Sequence, residues 1–145
     1  VYPTKKPYRG SWKFKKHFYA QVDDLTEKTS TGAFSEEFIC ARLLDMHPKV
    51  KYWVRNIPKQ PHSSFWLPTE KDYFYPDFVA ELEDGSIFVL EYKGGHLDTA
   101  DDDQNKNNIG KQWAKDSNGK RKFLMAKKQD EAGRSLEEQI NAVIG

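Results

Sequence analysis

Asp77, Glu91 and Lys93 are the residues of this chain whose types and spacing best suit chemistry. They fall in the segment YFYPDFVAELEDGSIFVLEYKGG, which reads as two strand-like runs joined by a short turn at Asp84-Gly85. Two carboxylates brought together on a sheet edge can hold a divalent cation, and a lysine beside them can steady a phosphate or an attacking water. Together these groups suit phosphodiester hydrolysis.

The elements that must position these groups follow from a period of two. In Ser86–Lys93, Ile87, Val89, Glu91 and Lys93 share one face, and Phe88, Leu90 and Tyr92 the other. Both faces are apolar until the C-terminal end, the pattern of a central strand buried on both sides. Glu91 and Lys93 therefore emerge where the buried strand ends. In the preceding run Asp77, Val79 and Glu81 share a face. Whether Asp77 meets Glu91 depends on the hairpin register. A two-residue Asp84-Gly85 turn pairs Tyr92 with Asp77 and sends the two acids to opposite faces. A three-residue Glu83-Asp84-Gly85 loop, with Gly85 left-handed in a bulge, shifts the register by one and sets Asp77 opposite Glu91. Their Cβ atoms then stand roughly 5 Å apart. The three-residue loop is the expectation here.

At 145 residues and 37% apolar content the chain is one domain with room for a core. No apolar run approaches the length of a membrane span, and nothing resembles a signal peptide. The single cysteine, Cys40, excludes an internal disulfide and a cysteine-based zinc site, and suits a reducing cytoplasm. The chain opens on Val1 rather than methionine, which suggests a fragment of a longer protein. The net charge is only +1, but Lys5, Lys6, Arg9, Lys13, Lys15 and Lys16 fall among the first seventeen residues with no acid between them. They are interleaved with Tyr2, Tyr8, Trp12 and Phe14. Residues 1–34 are read as a basic arm or linker packed on, or leading into, a domain at 35–145. Such an arm could follow a phosphate backbone or be a solvated linker. Asp98, Asp101, Asp102 and Asp103 read as a solvated loop.

Ser35 is an expected N-cap for a helix over 36–46, followed by a strand at Val50–Asn56 and a Pro- and Ser-rich loop at 57–72. After the hairpin come a helix around 103–117, a strand at Arg121–Ala126 and a last helix at Ser135–Ile144. The order α-β-β-β-α-β-α implies an α/β sandwich around a central sheet. In the first helix Glu37, Cys40, Ala41 and Leu44 follow inward-facing spacing, whereas Glu36 aligns with Ile39, Cys40 and Leu43. Periodicity does not choose between the two glutamates as a third acid; Glu37 is preferred. A first-turn glutamate also fits a simple helix-dipole role. The histidines His17, His47, His62 and His96 are dispersed without metal-ligand spacing. His96 is read as a surface-loop residue, Gly94-Gly95 as a place where the chain turns away from an approaching ligand, and Phe65 and Trp66 as packing residues.

In these stretches the chain resembles the PD-(D/E)xK nucleases, whose signature matches Pro76-Asp77 and Glu91-Tyr92-Lys93. Within that superfamily it resembles more nearly the C-terminal endonuclease region of helicase-nucleases related to type III restriction enzymes. EEFICARLLDMHPKVKYWVRN, SSFWLPTEKDYFYPDFVAEL, VLEYKGGHL, KNNIGKQW and RKFLM bear the likeness, which runs from about Trp12 to Met125. The resemblance implies a restriction-endonuclease-like fold and a DNA endonuclease that uses Mg²⁺ or Mn²⁺. It implies Asp77, Glu91 and the Tyr92 carbonyl as metal ligands, and Lys93 as the group that orients the attacking water. Glu37 would be the helix glutamate that completes the site. Lys106 or Lys111 would contact substrate phosphate, although a solvated helix face is the simpler account of both. It further implies an upstream helicase or ATPase region and a methyltransferase or specificity subunit as partners. Two other readings stand beside this one: a non-cutting module that docks DNA or a partner within a helicase assembly, and a structural domain whose charges pair with each other.

Overall fold

The computed structural model describes residues 1–94 and 100–145; Gly95, His96 and Asp98, singled out in the sequence, lie outside them. Helix α1 spans Glu36–Met46, with the Ser35 hydroxyl accepting from the Phe38 N–H at 3.1 Å as N-cap. Strand β1 follows at Val50–Arg55, then two short strands, β2 at Leu67–Pro68 and β3 at Tyr73–Phe74. Strand β4 is Phe78–Leu82, β5 is Ile87–Tyr92, α2 is Ala100–Lys115, β6 is Arg121–Ala126 and α3 is Leu136–Ile144. The main sheet has the order β1-β4-β5-β6. Its first three strands are antiparallel and β6 runs parallel to β5. A parallel neighbour requires a crossover, and the segment containing α2 supplies it. The result is a small α/β domain with a mixed sheet.

The apolar faces of β5 separate the core into two layers. Phe88 and Leu90 join Trp53, Phe78, Phe38, Cys40, Leu44 and Ile140 on the face covered by α1 and α3. Val89 joins Phe74, Phe123 and Leu67 on the other face, with Ile109 and Trp113 of α2 packed against them. Phe88, Val89 and Leu90 are fully buried, as the run of apolar residues on both sides of β5 requires. Two departures from the expected elements are local. The segment expected as loop at 57–72 contains β2, which pairs Leu67 with Phe74 and Pro68 with Tyr73 in a miniature hairpin; two-residue strands are too short to leave an alternation in the sequence. The expected helix at 103–117 begins earlier, so Asp101, Asp102 and Asp103 form its first turn instead of a solvated loop, where acids favour the positive end of the helix dipole.

Residues 1–34 pack against the domain. Tyr2 is buried, and Tyr8, Trp12 and Phe14 pack on the α1/β1 layer, with Phe14 edge-on to Trp53 at 5.2 Å. The arm is fastened by two acids. Asp45 of α1 accepts from the indole N–H groups of Trp12 (3.3 Å) and Trp53 (3.1 Å) and from the main-chain N–H groups of Lys15 and Lys16. Glu27 accepts from the Tyr8 hydroxyl and the Ser11 N–H. The interleaved aromatics therefore serve as packing, while Lys5, Lys6, Arg9, Lys13 and Lys15 stay exposed. The arm also borders β1 directly: Trp53 N–H donates to the Lys16 carbonyl (3.0 Å) and its carbonyl accepts from the Phe18 N–H (2.8 Å).

Helix α2 sits close to β6 because residue 110 is glycine. A Cβ at Gly110 would lie 2.4 Å from the Phe123 ring. Gly110→Ala removes a helix-interior glycine, a change that ordinarily stabilises by ~1 kcal/mol. Here it is expected to destabilise by about 1–3 kcal/mol, because the buried ring must move. Thermal unfolding followed by circular dichroism checks this; a rise in Tm would mean that α2 does not rest on Phe123.

Candidate active site

The hairpin has the three-residue loop. Leu82 N–H donates to the Ser86 carbonyl at 2.9 Å, Gly85 N–H to the Leu82 carbonyl at 2.9 Å, and Gly85 has φ +86°. A left-handed residue at that position is where glycine is needed. Ser86 N–H and hydroxyl both donate to the Asp84 carboxylate, which shapes the turn. The ladder pairs Phe78 with Leu90 and Val79 with Val89, so Asp77 and Glu91 occupy the next opposed positions at the strand ends.

Both carboxylates are anchored by the opposite strand's main chain. Asp77 N–H donates to Glu91 Oε1 at 3.0 Å, and Tyr92 N–H donates to Asp77 Oδ2 at 2.8 Å. Burial, followed by the nearby charge of Asp77, pushes the Glu91 carboxyl well above the usual carboxylate range, and the charge of Lys106 opposes the rise. The Tyr92 carbonyl accepts from Gly94 N–H at 3.2 Å and has a second lone pair. Lys93 follows β5, with its N–H on the Ala126 carbonyl and its amine 3.7 Å from Asp103 Oδ2. Asp103 is only 13% exposed at its side chain, so its charge faces the site side of α2.

The remaining sequence candidates divide between the two sides of the sheet. Lys106 of α2 is half-buried, with its amine 5.6 Å from the centre of the Phe74 ring, and it lies near enough to Glu91 to affect its ionisation. Lys111, one turn further along, is exposed and lines a groove with Lys93, Asp103, Asn107, Lys127 and Arg134. Glu37 lies on α1, on the opposite layer from α2. Its carboxylate meets Arg55 Nη2 at 2.7 Å and not Glu91. Burial raises the Glu37 pKa and Arg55 opposes that rise. Glu36 points to Lys128 at 3.9 Å. Phe65 packs edge-on to Trp113 at 5.6 Å, as a packing residue should, but Trp66 is 47% exposed and meets Tyr73 at 4.7 Å. Cys40 is fully buried, and burial pushes its thiol up, which removes it as a nucleophile.

Arg55, at the end of β1, was not apparent from the sequence as part of the site. Its side chain is 8% exposed, and its Nη1 lies 3.3 Å from Asp77 Oδ1 while Nη2 holds Glu37. The arm secures it. Arg55 Nε donates to the Asp24 carbonyl at 3.2 Å, its N–H to His17 Nε2 at 3.1 Å, and its carbonyl accepts from the Tyr2 hydroxyl at 2.8 Å. His17 Nδ1 faces the Tyr19 carbonyl at 2.8 Å, so the proton sits on Nδ1 and Nε2 is the acceptor. Burial lowers the His17 pKa and favours this neutral form. The advance signal was one of type: an arginine closing the strand VKYWVR directly after the apolar-aromatic run Tyr52–Val54.

Among the described residues no group of three or more His, Cys, Asp or Glu side chains is disposed to enclose a metal ion. The donor set that is present, two carboxylates and a main-chain carbonyl, nonetheless fits a hard cation that keeps several waters, which Mg²⁺ and Mn²⁺ do. The buried Nη1 of Arg55 makes no aligned hydrogen bond, so its contact with Asp77 is ionic and leaves lone pairs on that carboxylate. Among the described residues no helix is long and apolar enough to cross a membrane. No protein-family model, curated protein or solved structure matches the chain.

The Asp77–Glu91 pair has a measurable signature in stability. From the ordinary glutamate value of 4.5 up to its raised folded value, native Glu91 retains a proton that the unfolded chain has lost. Stability attributable to this group therefore falls as pH rises through that window. In metal-free buffer, melts between about pH 6 and about pH 9 should show this decline, and Glu91→Gln should flatten it. Identical slopes for the two proteins would mean that the pair is not closely coupled.

Proposed function

We propose that this domain is a metal-dependent DNA endonuclease of the PD-(D/E)xK type, with the restriction-endonuclease-like version of the α/β sandwich. The observation that carries this reading is the hairpin register. It brings the carboxylates of Asp77 and Glu91 into reach of each other's main chain and leaves Lys93 just past the end of β5. Phosphodiester hydrolysis needs negative charge neutralised at the phosphate and a water held in line. Asp77, Glu91 and the Tyr92 carbonyl would hold the Mg²⁺ or Mn²⁺. When bound, the ion supplies Lewis acidity and a lower pKa for coordinated water.

The chain's own residues account for the rest. The cross-strand N–H donors fix each carboxylate before any ion arrives, which lowers the reorganisation required on binding. The Lys93 amine stands 3.7 Å from Asp103 Oδ2; in this reading it would orient a water and meet charge developing on the phosphate. Lys106 stands near Glu91 and favours its ionised form, while Lys111 lies further out, along the groove beside β6, as a backbone contact. The cleavage module of a type III restriction-like helicase-nuclease is the assembly this reading favours, with an upstream ATPase to deliver DNA and a specificity subunit to choose it. A cytoplasmic setting agrees with the buried, unpaired Cys40.

A second reading has an observation of its own. Arg55 already pairs with Glu37 and Asp77, as it would in a structural domain whose buried charges satisfy one another. The two readings separate on supercoiled plasmid incubated with Mg²⁺ or Mn²⁺. Wild type should nick or linearise it, and Asp77→Ala, Glu91→Ala and Lys93→Ala should each lower the rate at least about a hundredfold while remaining folded. Wild-type rates in two of the three variants would reject the site.

A further inference from the structure

Resting on the nuclease reading, we propose that Arg55 takes the place a second metal ion would have, so that the centre binds one divalent cation and Glu37 is not among its ligands. The guanidinium lies between Glu37 and Asp77, 2.7 Å from one and 3.3 Å from the other. One of these acids belongs to α1 and the other immediately precedes β4. The guanidinium sets a fixed positive charge between these two acids, so they do not present an unopposed negative pair to a cation. A second ion placed between them would sit against that fixed positive charge.

Arg55 is not placed to move aside. Its N–H, carbonyl and Nε are held by His17, Tyr2 and Asp24, and its guanidinium rests 5.1 Å from the centre of the Phe78 ring. Glu37 also comes from the α1 side of the sheet, whereas Glu91 and Val89 belong to the α2 side. The link from Glu37 to Asp77 therefore runs through Arg55, a positioning residue that fixes the Asp77 carboxylate and sets the charge of the site.

Isothermal titration of the metal-free protein with Mn²⁺, together with the Mn²⁺ electron spin resonance spectrum of the product, tests this without any cleavage assay. Wild type should bind one ion with the spectrum of an isolated Mn²⁺, Asp77→Asn should lose binding, and Glu37→Gln should keep one ion at nearly unchanged affinity. Arg55→Met should admit a second ion or bind the first about tenfold or more tightly, because the opposing charge is gone, and Arg55→Lys should restore one-ion behaviour. Two ions on wild type with a spin-coupled spectrum, or loss of an ion in Glu37→Gln, would overturn the proposal while leaving the nuclease reading intact. A folded wild type that binds no Mn²⁺ would overturn both. Because Glu37→Gln alters a part-exposed side chain, its result stands even if Arg55→Met fails to fold.

Discussion

The pairing of Leu82 with Ser86 across Glu83, Asp84 and Gly85 determines which groups meet at the far end of the hairpin. Side chains alternate along a strand, so a hairpin one residue shorter would send Asp77 and Glu91 to opposite faces and would equally misplace Phe78, Ala80 and Leu82 from the core. The same register thus serves packing and the candidate site at once. The burial of Phe78, Ala80 and Leu82 on one face penalises any slip, and the left-handed Gly85 permits the loop that this register needs.

Placing two carboxylates at the end of a buried strand is costly unless charge and hydrogen bonds compensate them. This chain uses three devices. Main-chain N–H groups of Asp77 and Tyr92 bind the opposite carboxylate, Arg55 approaches Asp77 from the α1 side, and Lys106 approaches Glu91 from the α2 side. The arm enters the same balance, since Tyr2, His17 and Asp24 hold the main chain and side chain of Arg55. A segment that reads in the sequence as a basic approach to the domain is thereby tied to the electrostatics of its centre.

What the sequence revealed tracks how local the determining physics is. Helix α1, strand β6 and the capped α3 follow from Ser35, Ser135 and short apolar patterns, and the hairpin register follows from one glycine and one turn. The placement of Asp77 against Glu91 was legible for that reason. Arg55 was not, because its role depends on a contact between β1, β4, α1 and the arm, which no spacing within one element expresses. Asp103 was hidden likewise: four nearby acids look like a solvated loop until α2 is seen to begin at Ala100 and turn one of them toward Lys93. The basic-aromatic alternation of the arm was legible as a pattern, but its packing required the partners Asp45 and Glu27, which lie elsewhere in the chain.

The arm's course along β1 has a consequence for how the sheet ends. An uncovered edge strand offers a row of main-chain donors and acceptors to any other strand that meets it. On β1 those of Trp53 are engaged by Lys16 and Phe18, and those of Arg55 by His17 and Tyr2. At the other border β6 begins with Arg121 and Lys122, charges that discourage strand addition. The chain's own first residues occupy part of one border and charge marks the start of the other, so strand addition by a neighbouring copy is disfavoured at both.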